Sequence, residues 1–209
     1  MLTGLRAETF ENLQLNAGVF LSGFSPDAIA DAAALRTAAI AAIQSGEGLL
    51  GATRGGGSFE CTPQTRTVEA DGMRYPFVGS TVNDLWTVKL KTTLLEVTPD
   101  NFERALICAD VKKEGKKTII RVRTGIARED YIPSICWIGD TSRGFVMIQL
   151  DNALNLTGAT FTFTDKGEGT LPVEFQAHNA SLEDQDHAPF RIIFFDQPEG
   201  VEEEPPAWE

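Results

Sequence analysis

The chain of 209 residues carries 18 Lys and Arg against 30 Asp and Glu, a formal charge of −12, and 42% of it is hydrophobic. That is enough apolar material for one domain with a sizeable core and no disulfide or metal staple. The charge argues against a protein that grips nucleic acid by its phosphates or a membrane by a polybasic anchor, since both need a basic face.

The opening MLTGLRAETF has an acid close by and no apolar core, so no secretory signal is expected. Cys61, Cys108 and Cys136 are widely spaced and form no C-x-x-C pair. They predict neither a disulfide framework nor a zinc site, and a reducing compartment fits them. The longest apolar stretch, 28–43, is broken by Asp31 and Arg36, so no membrane span is expected.

The segment NAGVFLSGF predicts a first strand. A helix follows, with Ser25 as N-cap, Pro26 at the first helical position and Asp27 complementing the dipole. Its expected core stripe is Ile29, Ala32, Ala33, Ala39, Ile40 and Ile43, with Arg36 snorkelling from it and Gly46 as the stop. The stripe is narrow and alanine-rich, which predicts close docking on a flat sheet at the outside of the domain. LLGAT and SFECT read as strands flanking a turn at Gly55-Gly56-Gly57, and Asp71-Gly72 as a two-residue hairpin turn. The stretch Gly48–Gly79 is expected to lack backbone partners within one subunit.

Leu85–Val97 is the clearest strand. Trp86, Val88, Leu90 and Leu94 point one way and Thr87, Lys89, Lys91 and Thr93 the other. Thr98-Pro99-Asp100 supplies cap, proline and acid for a short helix from Asn101 to Ala109. Further strands are predicted at 119–123, around SICWIGD, at 145–151, in ATFTFTD and in LPVEFQA, with Asp165-Lys166-Gly167 turning the last two. FRIIFF (190–195) reads as a strand covered on both faces. About ten strands and two helices predict a mainly β protein, a β-sandwich or split barrel with flanking helices. That domain is expected over 1–196, with 25–45 as a helical elaboration. Residues 197–209 hold five acids, three prolines and no base, and predict a flexible acidic tail. Docking of Trp208 on a neighbouring subunit is the alternative for that tail.

The chemistry-bearing residues converge on no motif. His178 and His187 fit no metal spacing and are expected in exposed loops. GATRGGG lacks the lysine and the following helix of a phosphate cradle. Asp165, Glu168 and Glu174 read as turn and exposed strand acids rather than a glycosidase pair. Asp110, Asp151 and Asp165 lack calcium-loop spacing. Asn155-Leu-Thr and Asn179-Ala-Ser are glycosylation sequons without a secretory route. No catalytic, cofactor-binding or metal-binding residue is assigned, and no enzyme is expected.

The order LTGLRAETFENLQLNAGVFL, GATRGGGSFECTPQTRTVEADG, LKTTLLEVTPDNFERAL and ALNLTGATFTFTDKGEGTLPVEFQAH resembles the major tail tube proteins of long-tailed bacteriophages. The resemblance runs over most of 1–196. It implies a sandwich or split barrel with a flanking helix, forming hexameric rings that stack into a hollow tube. It implies a tape measure protein and tail terminator or tip proteins as partners, and DNA that passes through without specific binding. The implied location is the virion tail, assembled in the bacterial host cytoplasm. In such tubes a segment like Gly48–Gly79 reaches onto the adjacent ring. Amphipathic strands with Thr- and Lys-bearing outer faces can line a wet channel, and a negative subunit suits a conduit for DNA. Lys89 and Lys91 fit poorly with an acidic lumen and are expected to face a neighbour's carboxylates, or that face is wrongly assigned. A decoration or receptor-binding module of a virion is the alternative function.

Overall fold

Alternating apolar and polar residues, and a few positions where the chain bends, set the architecture of the computed structural model. It describes residues 4, 6, 9, 13, 14, 16–183 and 185–196. In chain order the first elements are β1 (Val19–Ser22), α1 (Ala32–Ser45), β2 (Thr53–Thr67), β3 (Thr81–Leu94) and α2 (Pro99–Ala105). The hairpin β4 (Ala109–Glu114) and β5 (Lys117–Val122) follows, then β6 (Ile132–Thr141), β7 (Gly144–Asn155), β8 (Leu171–Gln176) and β9 (Phe190–Asp196). Strand accounts for 45% and helix for 14%. The fold is a mainly β sandwich with flanking helices.

One sheet runs β1-β6-β7-β9 and the other β2-β3-β8, all antiparallel. β7 belongs to both. Its first part pairs with β6 and β9, and its last two residues, Leu154 and Asn155, pair with Gln176 and Phe175 of β8. The crossing lies at Asn152, whose φ of 45° is left-handed, a conformation asparagine tolerates well. Asn155, the first residue of one sequon, is fully buried there. Its amide donates to the Ala105 and Gly158 carbonyls, at 2.7 and 3.2 Å. That side chain ties α2 to the sandwich corner rather than facing solvent.

The core between the sheets joins Phe20, Ile135 and Leu150 of the first to Val88, Leu90, Leu94, Leu171, Val173 and Phe175 of the second. On the other face of the first sheet, Leu21, Cys136, Ile138, Met147 and Phe195 receive Ala32, Leu35 and Ala39 of α1. The helix therefore packs outside the sandwich, as expected, and β1, β6 and β7 are apolar on both faces because both are covered.

The helix starts later than its sequence suggests. Asp31, not Ser25, is the N-cap and accepts from the Ala34 amide at 2.8 Å. Ser25 instead donates to Asp27, and Asp27 is held by Arg191 of β9 at 2.7 Å, which pins this turn before the helix begins. Gly46 ends the helix at φ 71°. The predicted stripe is also rotated. Leu35 is fully buried, whereas Ile40 and Ile43 are 44% and 46% exposed. Close approach to a flat sheet selects the row Ala32, Leu35, Ala39, and the bulkier isoleucines turn outward.

Gly55-Gly56-Gly57 is not a turn. β2 runs through it and pairs with β3 along its length, with a register shift between Thr53 and Gly57. Gly55 and Gly56, at φ 75° and 71°, absorb that shift. A Cβ at Gly57 would lie 2.5 Å from the Lys91 carbonyl and 2.6 Å from the Phe20 ring. The expected lack of partners over Gly48–Gly79 is thus corrected for Thr53–Thr67. Asp71-Gly72 forms a turn inside the longer 68–80 connection.

The short helix with Thr98 as cap is present, and its side chain accepts from the Asn101 amide; it ends at Ala105. ATFTFTD forms no strand, only an isolated bridge between Thr162 and Thr170. Phe161 packs on Phe102, but Phe163 is 78% exposed, so one face of the segment has no core to bury against. β9 is covered on one face rather than two. It is an edge strand, and the second sheet reaches only its Phe190 end, through Phe59. The acidic segment 197–209 lies outside the described residues. No helix among the described residues is long and apolar enough to cross a membrane.

Candidate assembly surfaces

The outer face of the second sheet is polar by strand alternation. Ser58 and Glu60 of β2, Lys89 and Lys91 of β3, and Glu174 and Gln176 of β8 occupy neighbouring rungs. Glu174 lies 2.5 Å from Lys89 and 3.2 Å from Lys91, and Lys91 lies 2.8 Å from Glu60. The two lysines are neutralised within their own sheet, so no neighbour's carboxylates are needed. The hydrogen bond from Lys89, opposed by burial and aided by Lys91, holds the Glu174 carboxyl below its ordinary value. Hydrogen bonding to Glu60, then to Glu174, holds the Lys91 ammonium above its own. The result is a polar, charge-balanced face.

A carboxyl held low in the folded state stabilises it above the unfolded value, about 4.3 for glutamate, and loses that contribution as pH falls through the folded value. Glu174→Gln is therefore expected to cost about 1 kcal/mol at pH 7 and almost nothing near pH 2. Paired urea melts of both proteins across that range measure the difference. Equal costs at both ends would show that the ladder does not carry it.

The other surfaces are apolar, because the sheets are offset. On the sandwich-facing side of the first sheet, Trp137 pairs with Ile148, Ile148 with Ile192, and Val146 with Phe194. Ile192 and Phe194 are 44% and 70% exposed. Beside this overhang a cavity of about 350 Å³ opens between the sheets, lined by Phe20, Gly57, Phe59, Leu90, Trp137 and Ile148. The second sheet overhangs too. From Thr62 to Trp86 the β2–β3 hairpin is exposed at every residue but Met73 and Ser80. Tyr75, Phe77, Val78, Leu85 and Trp86 all lie open on this arm.

The β4–β5 hairpin differs again. From Ala109 to Arg123 it holds Lys112, Lys113, Lys116, Lys117, Arg121 and Arg123 against Asp110 and Glu114, a net +4 in a chain of −12. Arg123 is held at the root by Asp110 and Asp130.

The other candidates stay apart. Glu168 pairs with Arg54, and Asp151 accepts from Gln149. His187 is exposed as expected. His178 is not: it is half-buried, edge-on to Tyr131, with Nδ1 3.2 Å from the Asn152 carbonyl. It braces the β7 corner, a role that a polar sequence context hides. Cys61, Cys108 and Cys136 are free, and burial pushes the Cys136 thiol up to about 12. Among the described residues no three His, Cys, Asp or Glu side chains gather as metal ligands. Neither a protein-family model nor a curated protein matches the chain.

Proposed function

We propose that this protein is the structural subunit of a bacteriophage tail tube, assembling into stacked hexameric rings through which the genome passes. The observation that carries the reading is the projecting β2–β3 arm with its open Tyr75, Phe77, Val78, Leu85 and Trp86. A solitary protein has little use for so many large apolar side chains standing in water on one arm, whereas a subunit that buries them against copies of itself must present them before assembly. The offset sheets support the same reading. Each leaves an apolar face that its own partner sheet does not cover, and each is a surface for a neighbour. The charge-balanced ladder on the second sheet is suited to face a channel, because it offers a passing phosphate chain no net attraction.

In this role the protein is not an enzyme. Its partners are further copies of itself, a tape measure protein inside the tube, and terminator and tip proteins at the ends. It works in the virion tail after assembly in the host cytoplasm, and double-stranded DNA passes without specific binding. Negative-stain electron microscopy of the purified protein tests this. Hollow tubes of stacked rings are the expected result. Monomers or small closed oligomers at high concentration would instead favour a decoration or receptor-binding module.

A further inference from the structure

The basic β4–β5 hairpin has no counterpart elsewhere in this acidic chain. Lys112 is engaged by Glu114 and Arg123 by its two aspartates, and among the described residues no ion pair holds Lys113, Lys116, Lys117 or Arg121, although the ladder sets Glu114 opposite Lys117 and Asp110 opposite Arg121. All four are exposed. The excess of cations on one narrow ribbon is self-repelling and attracts a polyanion. The chain itself supplies one: after Asp196 come Glu199, Glu202, Glu203, Glu204 and Glu209, with no base among them.

We propose that the β4–β5 hairpin is the docking site for the acidic 197–209 segment of a second copy of this chain, forming an electrostatic clasp between subunits. Reach favours a neighbour's segment over the subunit's own. Asp196 pairs with Gly144, which pairs with Thr141 at the end of β6. The hairpin root is fixed by Arg123 to Asp130, just before Ile132 at the start of β6. The length of β6, about 30 Å at ~3.3 Å per residue, therefore separates the two. Fully extended chain spans at most ~3.6 Å per residue, so Glu202–Glu204 lie within about 22–29 Å of Asp196. The acidic run would have to be almost fully stretched to come near its own hairpin root, at a large cost in chain entropy. A neighbour's hairpin carries no such restriction. Val122 at the root is 60% exposed and offers Trp208 an apolar contact beside the charges.

The clasp requires only that two copies meet, so it stands or falls separately from the tube. The test mixes full-length protein of natural and ¹⁵N-enriched composition, assembles it, and applies a zero-length carbodiimide that joins only touching amines and carboxylates. Mass spectrometry is expected to find mixed-isotope peptides linking Lys113, Lys116 or Lys117 to Glu202–Glu204. Their yield should fall at least ~5-fold at 1 M salt, where the Debye length is about 3 Å. Reversing the hairpin with Lys113→Glu, Lys116→Glu and Lys117→Glu should weaken assembly, and adding Glu202→Lys, Glu203→Lys and Glu204→Lys should restore it. Links confined to single copies, no links in assembled protein, or protein that stays monomeric at every concentration would each overturn the clasp. So would hairpin reversal that abolishes duplex DNA retention while truncation after Gln197 leaves assembly and its salt response unchanged. That last outcome would make nucleic acid the hairpin's partner. Tubes that form without the links would leave the tube reading standing and remove the clasp alone.

Discussion

Leu35→Asp is expected to cost the subunit at least ~4 kcal/mol, while Ile40→Asp, five residues on in the same helix, is expected to cost under ~1 kcal/mol. Leu35 is fully buried against the first sheet, in one cluster with Leu21, Cys136, Ile138, Met147 and Phe195. A carboxylate there finds no partner, and the lost side chain leaves a void as well. Ile40 is 44% exposed, so an aspartate can turn to water, and only part of an isoleucine's burial is forfeited. The sequence pattern alone places Ile40 in the buried stripe and so reverses this order. Urea melts of the two variants decide it. A comparable loss for both, or a larger one for Ile40→Asp, would mean that α1 docks in the other phase.

That reversal shows where sequence reasoning stops. AAALRTAAIAAIQS has apolar residues on nearly every side of the helix, so a period of 3.6 fits more than one stripe. What selects among them is the shape of the sheet, which no local pattern contains. Strands with one wet face were more legible. In β3 and β8, Val88, Leu90 and Leu94 and then Leu171, Val173 and Phe175 alternate cleanly and are buried as the alternation predicts. The cap at Thr98 was legible for a similar reason, since cap, proline and acid sit within three residues. Three glycines in a row read as a turn because glycine permits turns, but it equally permits a bulge, and only pairing with β3 separates the two. FRIIFF misled in another way. A continuous apolar run predicts cover on both faces, and at β9 one face stays open at Ile192 and Phe194. The surfaces proposed for assembly were thus present in the sequence as apolar residues, while their exposure follows from how far each sheet extends past the other.

Shortening the β2–β3 arm is expected to abolish self-assembly and leave the subunit's own stability almost unchanged. Replacing 63–86 by Asn-Gly joins Thr62 to Thr87, which already face each other across the ladder, through a turn that suits a tight hairpin. Among the residues removed, Ser80 alone is buried, and it bonds to Val68 and Phe77, both within the excised segment. The sandwich core loses nothing, and a melting temperature within ~3 °C of the full-length subunit is expected. Assembly loses the open aromatic and aliphatic side chains of the arm. Burial of two such side chains is worth ~3 kcal/mol or more, equivalent to at least a ~100-fold rise in the concentration needed to assemble. Amide exchange gives the same argument a local readout. A two-stranded ribbon without a covering layer is marginal in water, so Thr62–Thr67 and Thr81–Trp86 should exchange fast in the free subunit and slowly once assembled. Phe59 to Cys61, backed by the core, should be protected in both states. An arm equally protected before and after assembly, or a shortened protein that still assembles at the original concentration, would remove the arm from the interface and with it the main support for a tube-forming subunit.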